Sequence, residues 1–209
     1  MPVKLNQADV DAMGRQAAKS KATKDAIVGA VISLIKEEGY SAASSSKIAR
    51  RAGVTWGAVQ HHFGGKEEIL EEILLRSHTK FHDTLSASRF TKGKPLRRVA
   101  KYVDAAWRHY QGQEYMATME ILLATRGHGR PANDLSISRS RDAHLGLARS
   151  IFHDSKASDK VFQEVIYTVH CMLTGILIEI ALEPLSFKSA SYIRRLKATV
   201  MEMLYPGQA

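Results

Sequence analysis

Between Gly39 and Lys66 the chain carries four permanent cations, Lys47, Arg50, Arg51 and Lys66, together with His61 and His62 and no acid. An acid-free run of ammonium and guanidinium groups is suited to neutralising phosphate. The serines Ser44, Ser45 and Ser46 lie just ahead of these cations, where hydroxyls can donate to phosphate oxygens. Other patterns offer less. His78 and His82 stand i, i+4, a spacing that can bind a metal, but no Cys or third His completes the set, so a solvated pair is expected. Cys171, beside His170 in an apolar stretch, reads as packing rather than as a thiol sensor. Nucleophile elbow, P-loop, HExxH and recognisably paired carboxylates are all missing, so no catalysis, cofactor or metal is expected.

The composition agrees with a polyanionic partner. Lys+Arg number 30 against 21 Asp+Glu, a net charge of +9 in 209 residues. Residues 1–66 hold ten Lys/Arg against five Asp/Glu, so more than half the excess lies in under a third of the chain. A hydrophobic share of 44% suffices for a core and excludes a disordered chain. One cysteine excludes an internal disulfide framework and fits a reducing cytoplasm. The first residues lack the apolar core of a signal peptide. The greasiest run, Val165 to Leu182, is interrupted by Thr168, His170, Thr174 and Glu179 and is expected to fall short of a membrane span.

These groups need a scaffold, and the periodicity supplies helices. Ile27, Val31, Leu34 and Ile35 form one stripe, with Thr23 as a candidate N-cap and Gly39 as the stop. Two short helices follow, one capped by Ser44 or Ser45 and stopped by Gly53, the other capped by Thr55 and broken by Gly64-Gly65. A long helix begins at Lys66, with acids in its first turn. Further helices are expected from Pro95 to Tyr110, Tyr115 to Arg126 and Asn133 to His153, with a turn at Gly127 to Pro131 between the last two. Another runs from Ser158 or Asp159 to Pro184, and a last one over residues 189–204, with Tyr192, Ile193, Leu196, Val200, Met203 and Leu204 on one stripe. The expected fold is all-α with about nine helices. Residues 1–21, polar and without a stripe, are expected to be a flexible tail.

Two short helices joined by a tight glycine turn form a helix-turn-helix candidate. Ile48, Ala49, Ala52 and Val54 are small enough for a close crossing, and Val59 and Phe63 anchor the second helix inward. Trp56, Gln60 and His61 then face outward, with Ala58 and His62 on the flanks, as insertion into a groove requires. Gly57 removes a side chain where that helix would approach DNA.

From Lys24 to Leu70 these residues resemble the TetR/AcrR family of transcriptional regulators. The resemblance rests on Glu38-Gly39-Tyr40, Ser44 through Ala49, Ala52-Gly53-Val54-Thr55, Gly57-Ala58-Val59, and His62-Phe63 followed by Gly64-Gly65-Lys66-Glu67. It implies a helix-turn-helix domain over residues 22–68 and an effector-binding and dimerisation domain over 69–209. It implies DNA contacts at Tyr40, Ser44, Ser45, Ser46, Thr55, Trp56, Gly57, Gln60, His61, His62 and Lys66. Gln60 departs from the family's usual tyrosine and is read as a backbone contact, with adenine recognition or plain solvation as alternatives. Arg50 and Arg51 read as solvated charge, as do Glu120 and Arg126.

In the larger domain the resemblance implies a small-molecule effector, hydrophobic or amphipathic. Tyr102, Trp107, Tyr110, Tyr115, Met116, Met119, His170 and Met172 are the candidate lining. It also implies a homodimer, built on Val169, Leu173, Ile176, Leu177, Ile180, Leu196, Val200 and Leu204. The expected function is a repressor released from a palindromic operator by its effector. An activator or corepressor-dependent regulator on the same fold, or a small-molecule-binding protein without DNA affinity, are the alternatives.

Overall fold

The computed structural model describes residues 7–125, 142–183 and 186–208. The helices are α1 (Gln7–Glu38), α2 (Ser45–Ala52), α3 (Trp56–Phe63), α4 (Lys66–Ser86), α5 (Pro95–Tyr110), α6 (Gln113–Thr125), α7 (142–151), α8 (Asp159–Leu182) and α9 (Ser189–Leu204). No strand occurs among the described residues, so the all-α expectation of about nine helices holds. Arg126, the turn from Gly127 to Pro131, the helix start at Asn133 and the stop at Pro184 lie outside the described residues.

The chain divides into two compact units, with boundaries inside α4 and α6. One comprises residues 1–75 and 116–126, the other 76–115 and 127–209. The first unit therefore takes in more than the expected 22–68. Ala117 and Ile121 of α6 belong to the same buried cluster as Ile69, Leu70 and Ile73 of α4. The stripe Ile27, Val31, Leu34 and Ile35 is buried in that cluster with Ile48 and Val59, so α1 is the beam on which α2 and α3 rest. Each such aliphatic side chain contributes about 1.5–3 kcal/mol on leaving water.

One expectation fails at the N-terminus. Residues 7–21 are not a tail but the first part of the 32-residue α1. Thr23 does not cap a helix start; its hydroxyl donates to the Lys19 carbonyl inside the helix. The physical reason is propensity. This stretch is rich in Ala, Gln and Lys and contains no proline, so it continues the helix although its side chains from Asp11 to Lys19 are exposed.

The stops between short helices are glycine stops. α1 ends at Gly39 (φ +81°) and α3 at Gly64 (φ +92°). Gly53 takes the left-handed conformation (φ +67°, ψ +29°), with its N–H on the carbonyls of Ala49 and Arg50. An added Cβ at Gly53 meets no atom within 4 Å, so the cost of a side chain there is backbone strain alone. Gly53→Ala is expected to destabilise this unit by about 1–2 kcal/mol, read as a lower urea midpoint at unchanged m-value.

In the second unit, α5, α8 and α9 pack on one another. Pro95 opens α5 at its first turn, and Val99, Tyr102, Val103, Ala106 and Tyr110 form its buried face. On α8, Phe162, Val165, Val169, Leu173, Ile176 and Leu177 are buried. Contrary to the sequence expectation, α8 is long and apolar enough to cross a membrane by length and composition alone. In this fold its stripe is spent on packing against α5 and α9.

Among the described residues, Arg98 of α5 is the largest fully buried side chain. Its guanidinium donates to both carboxylate oxygens of Asp154, to Tyr205 Oη at 3.1 Å, and meets His153 Nε2 at 2.9 Å, while its Nε finds no partner. The network ties α5 to the loop after α7 and to the residue that ends α9.

Candidate nucleic-acid interface

Ser44 has the extended backbone of an N-cap, and its hydroxyl accepts from the Lys47 N–H at 3.4 Å. Two of the four cations in the acid-free run are already engaged. Lys47 pairs with Glu38 at 2.5 Å, and Arg51 with Glu37 at 2.9 Å and with the Ser33 hydroxyl at 3.2 Å. The Ser33 hydroxyl and then Arg51 hold the Glu37 carboxyl below its ordinary range. Both acids lie on α1, just ahead of the run, so these cations stitch α2 to α1. Such exposed pairs stabilise little, and a competing phosphate can displace them. Arg50 is exposed on the last turn of α2.

The next helix, α3, starts at an N-cap too, Thr55, whose hydroxyl accepts from the Ala58 N–H at 3.2 Å. Val59 is buried, and Phe63 is half-buried against the cluster below. Gly57, Gln60 and His61 are exposed, His62 is half-buried, and the two imidazoles meet edge to face at 5.3 Å. An added Cβ at Gly57 would touch only the Thr55 hydroxyl, at 3.9 Å. Nothing inside the chain requires glycine at that position. Trp56 departs from the expectation of a wholly outward residue: it is half-buried and packs on the core cluster. Its indole starts the helix where a large apolar body finds the core more easily than water.

Lys66 opens α4, and its ammonium lies 4.4 Å above the Tyr40 ring. Partial burial lowers its pKa, with Glu67 acting the other way. The sequence put both residues among the DNA contacts, and the fold brings them together as a cation–π pair at a helix N-terminus. Glu120 was read as solvated. It instead accepts from the Tyr40 backbone N–H at 3.1 Å, fixing the turn Tyr40–Ala42 that carries the ring. No local signal marks that role, because Glu120 lies eighty residues away. Ser46 and Ser44 are exposed and Ser45 is half-buried.

The candidate effector residues divide. Tyr110 and Tyr115 stack at 4.1 Å, the Tyr110 hydroxyl meets His170 Nδ1 at 2.7 Å, and the Tyr115 hydroxyl meets Thr174 at 2.9 Å. Tyr102 is buried edge-on to Phe152, and burial pushes its pKa up to about 12. Trp107 and Met172 are half-buried in the same unit, whereas Met116 and Met119 belong to the first unit. Sequence reasoning missed His109, His144 and Phe81, which join this group: Phe81 lies 4.8 Å from His109 and 5.3 Å from His144. It also read His78 as a plain solvated residue, yet His78 lies 6.1 Å from His144. No group of three or more metal-ligating side chains forms among the described residues.

The dimer candidates are placed by their burial in the single chain. Val169, Leu173, Ile176, Leu177, Leu196, Val200 and Leu204 are buried in the single chain, and Ile180 is half-buried. They are the core that joins α8 to α9, because a stripe of this regularity closes on the nearest neighbouring helix first. The apolar side chains these helices leave exposed are others: Tyr167, Ile178, Leu182 and Tyr192.

A capped short helix with polar groups on its open face, held on two others by a glycine turn, is a helix-turn-helix DNA-binding domain. Residues 27–73 match the family model of the bacterial regulatory proteins, tetR family. The transcriptional regulator SrpR of Pseudomonas putida is 42% identical over 60 residues, which cover 29% of this chain and 28% of SrpR. The transcriptional repressor BepR of Brucella suis is 33% identical over 95 residues, 45% of this chain and 46% of BepR. The chain thus spans less than half the length of either relative. Over the whole fold, the crystal structure of a transcriptional regulator from Rhodococcus superposes with a TM-score of 0.68, covering 88% of this chain and 96% of that one at 20% identity.

Proposed function

We propose that the chain is a one-component, ligand-responsive repressor that binds a palindromic operator as a homodimer in the cytoplasm. The observation that carries this reading is the open face of α3. Gly57, Gln60 and His61 are exposed on a capped helix, and the glycine has no internal reason to be one. Two such helices, one per protomer, would enter successive major-groove faces about 34 Å apart. Lys66, Tyr40, Ser44 and Ser46 would hold the phosphates, and Gln60 and His61 would meet base edges or the backbone beside them. Exposed Tyr167, Ile178, Leu182 and Tyr192 offer apolar surface for the second copy. The aromatic and histidine group of the second unit would receive a small-molecule effector, which must bind the DNA-incompetent form more tightly to release the operator.

The relative BepR is named a repressor, which favours repression over activation. A footprint placed against the promoter separates the two, since the outcome depends on where the operator lies. The direct test is fluorescence anisotropy with the DNA flanking the chain's own gene. Specific, salt-sensitive binding is expected; its absence would leave only a small-molecule-binding protein. His61→Ala is expected to flatten the preference among base substitutions at one operator position, costing about 1–3 kcal/mol of discrimination. Uniform weakening across all variants would instead make His61 a phosphate contact.

A further inference from the structure

Four imidazoles come together in the second unit from four different helices: His78 on α4, His109 on α5, His144 on α7 and His170 on α8. Aromatic faces link them. Phe81 packs on His109 and His144, and Tyr110 lies 6.1 Å from His109 and 5.9 Å from His170. His78 and His170 are exposed, yet the surrounding protein disfavours their charged forms. Both side chains reach water at the edge of the ring cluster.

Among the described residues, the charge acting on His109 and His144 is one-sided. The carboxylate acting on His109 is Glu114, at the start of α6, and it is bound to Lys80 of α4 at 2.7 Å. Lys80 and the neighbouring imidazoles, His82 included, oppose protonation. Tyr110 on α5 and Tyr115 on α6 in turn feel each other and, among the described residues, the Cys171 thiol on α8, with the Tyr102 hydroxyl acting on Tyr110 as well. A cationic ligand would meet Lys80 and a carboxylate already occupied. A shared metal ion is disfavoured because Phe81 packs against both His109 and His144, and no three ligating groups converge among the described residues.

We propose that this imidazole group is the effector site and that the effector is a planar organic anion, an aromatic carboxylic acid in its simplest form. The inference rests on the ligand-responsive regulator reading and names the chemistry of its ligand. The exposed rings of His78 and His170, set among aromatic neighbours, suit a planar body, and imidazole N–H groups suit a carboxylate. Burial first, then Lys80 for His109 and the other imidazoles for His144, push both of these down to about 4. An anion supplies the missing counter-charge and raises them, so it enters together with a proton. Affinity is then greatest at low pH and falls as pH rises towards the raised value, by up to about ten-fold per unit.

The test is isothermal titration calorimetry on the full chain with benzoate, 2-hydroxybenzoate and 1-naphthoate, each beside its uncharged amide. Titrations at pH 5.5 and 7.5, in two buffers of different ionisation enthalpy, give the proton count. At least one acid is expected to bind with net proton uptake, about ten-fold or more tighter at pH 5.5 than at 7.5, while its amide does not. His144→Gln, and separately the more exposed His170→Gln, should weaken the acid at least ten-fold and reduce the proton uptake, with the thermal transition recorded to confirm folding. Failure of all three acids to bind, equal binding of acid and amide, or binding without proton uptake would overturn the proposal. An uncharged compound that releases the operator equally well from His144→Gln would overturn it while leaving the regulator reading standing. Absence of operator binding in any condition would count against the regulator itself.

Discussion

Replacing Lys66 with glutamate is expected to abolish measurable operator binding at physiological salt, with a loss of about a hundred-fold or more. The ammonium is positioned by the first turn of α4 and by the Tyr40 ring 4.4 Å beneath it. A charge-assisted hydrogen bond to phosphate is worth about 1.5–3 kcal/mol, and a dimer makes the contact twice. Lys66→Ala removes the attraction without adding repulsion. It should weaken all sequences alike and lower the slope of log K against log salt by about one per protomer. The measurement is anisotropy on the operator and on scrambled DNA from 50 to 200 mM salt. If Lys66→Glu leaves operator occupancy unchanged, the first turn of α4 does not face the DNA. Tyr40→Phe keeps the ring and should keep most of the affinity, which separates ring support from a hydroxyl contact.

The largest effect on stability is expected at Asp154. Arg98 is 1% exposed and cannot reach water, so its charge depends on this carboxylate. Removing one partner of a buried pair costs about 3–5 kcal/mol because the other is left uncompensated. The side chain of Asp154 is 43% exposed, which places Asp154→Ala near the lower end of that range. For a chain of this size that corresponds to a fall in Tm of about 6–12 °C. Burial raises the Asp154 carboxyl, but hydrogen bonds from Arg98 and Tyr205 outweigh it and hold the pKa below the ordinary value. A depressed carboxyl gives stability that is present above the unfolded-state pKa and lost as pH falls through the folded one. Wild-type stability should therefore decline below about pH 4, and Asp154→Ala should show less of that decline. Arg98→Met should cost less than Asp154→Ala, since it leaves no buried charge behind. The opposite order would mean that the network does not bear on Arg98 as its geometry indicates.

Local chemistry made much of the DNA-binding domain legible. Ser44 and Thr55 cap α2 and α3 because a short hydroxyl side chain satisfies a free N–H wherever a helix begins. Gly39, Gly53 and Gly64 end helices because positive φ strains any other residue. The stripe from Ile27 to Ile35 had a single possible use. Where side chains are long or amphipathic, the reading weakened. Trp56 packs inward, Lys47 and Arg51 are held by Glu38 and Glu37, and Glu120 anchors a turn eighty residues earlier. Each outcome depends on which neighbour arrives first in space, and spacing along one helix carries no such information.

The order of residues by itself determined the caps and stops of α2 and α3 and the basic stretch they display, since each follows from interactions within about four positions of chain. Tertiary structure decided the rest. It packed the α8 and α9 stripes on each other, because an apolar face is covered by whatever surface lies nearest. It also gathered His78, His109, His144 and His170 into one group. A shared electrostatic environment arises only when helices far apart in the chain pack side by side.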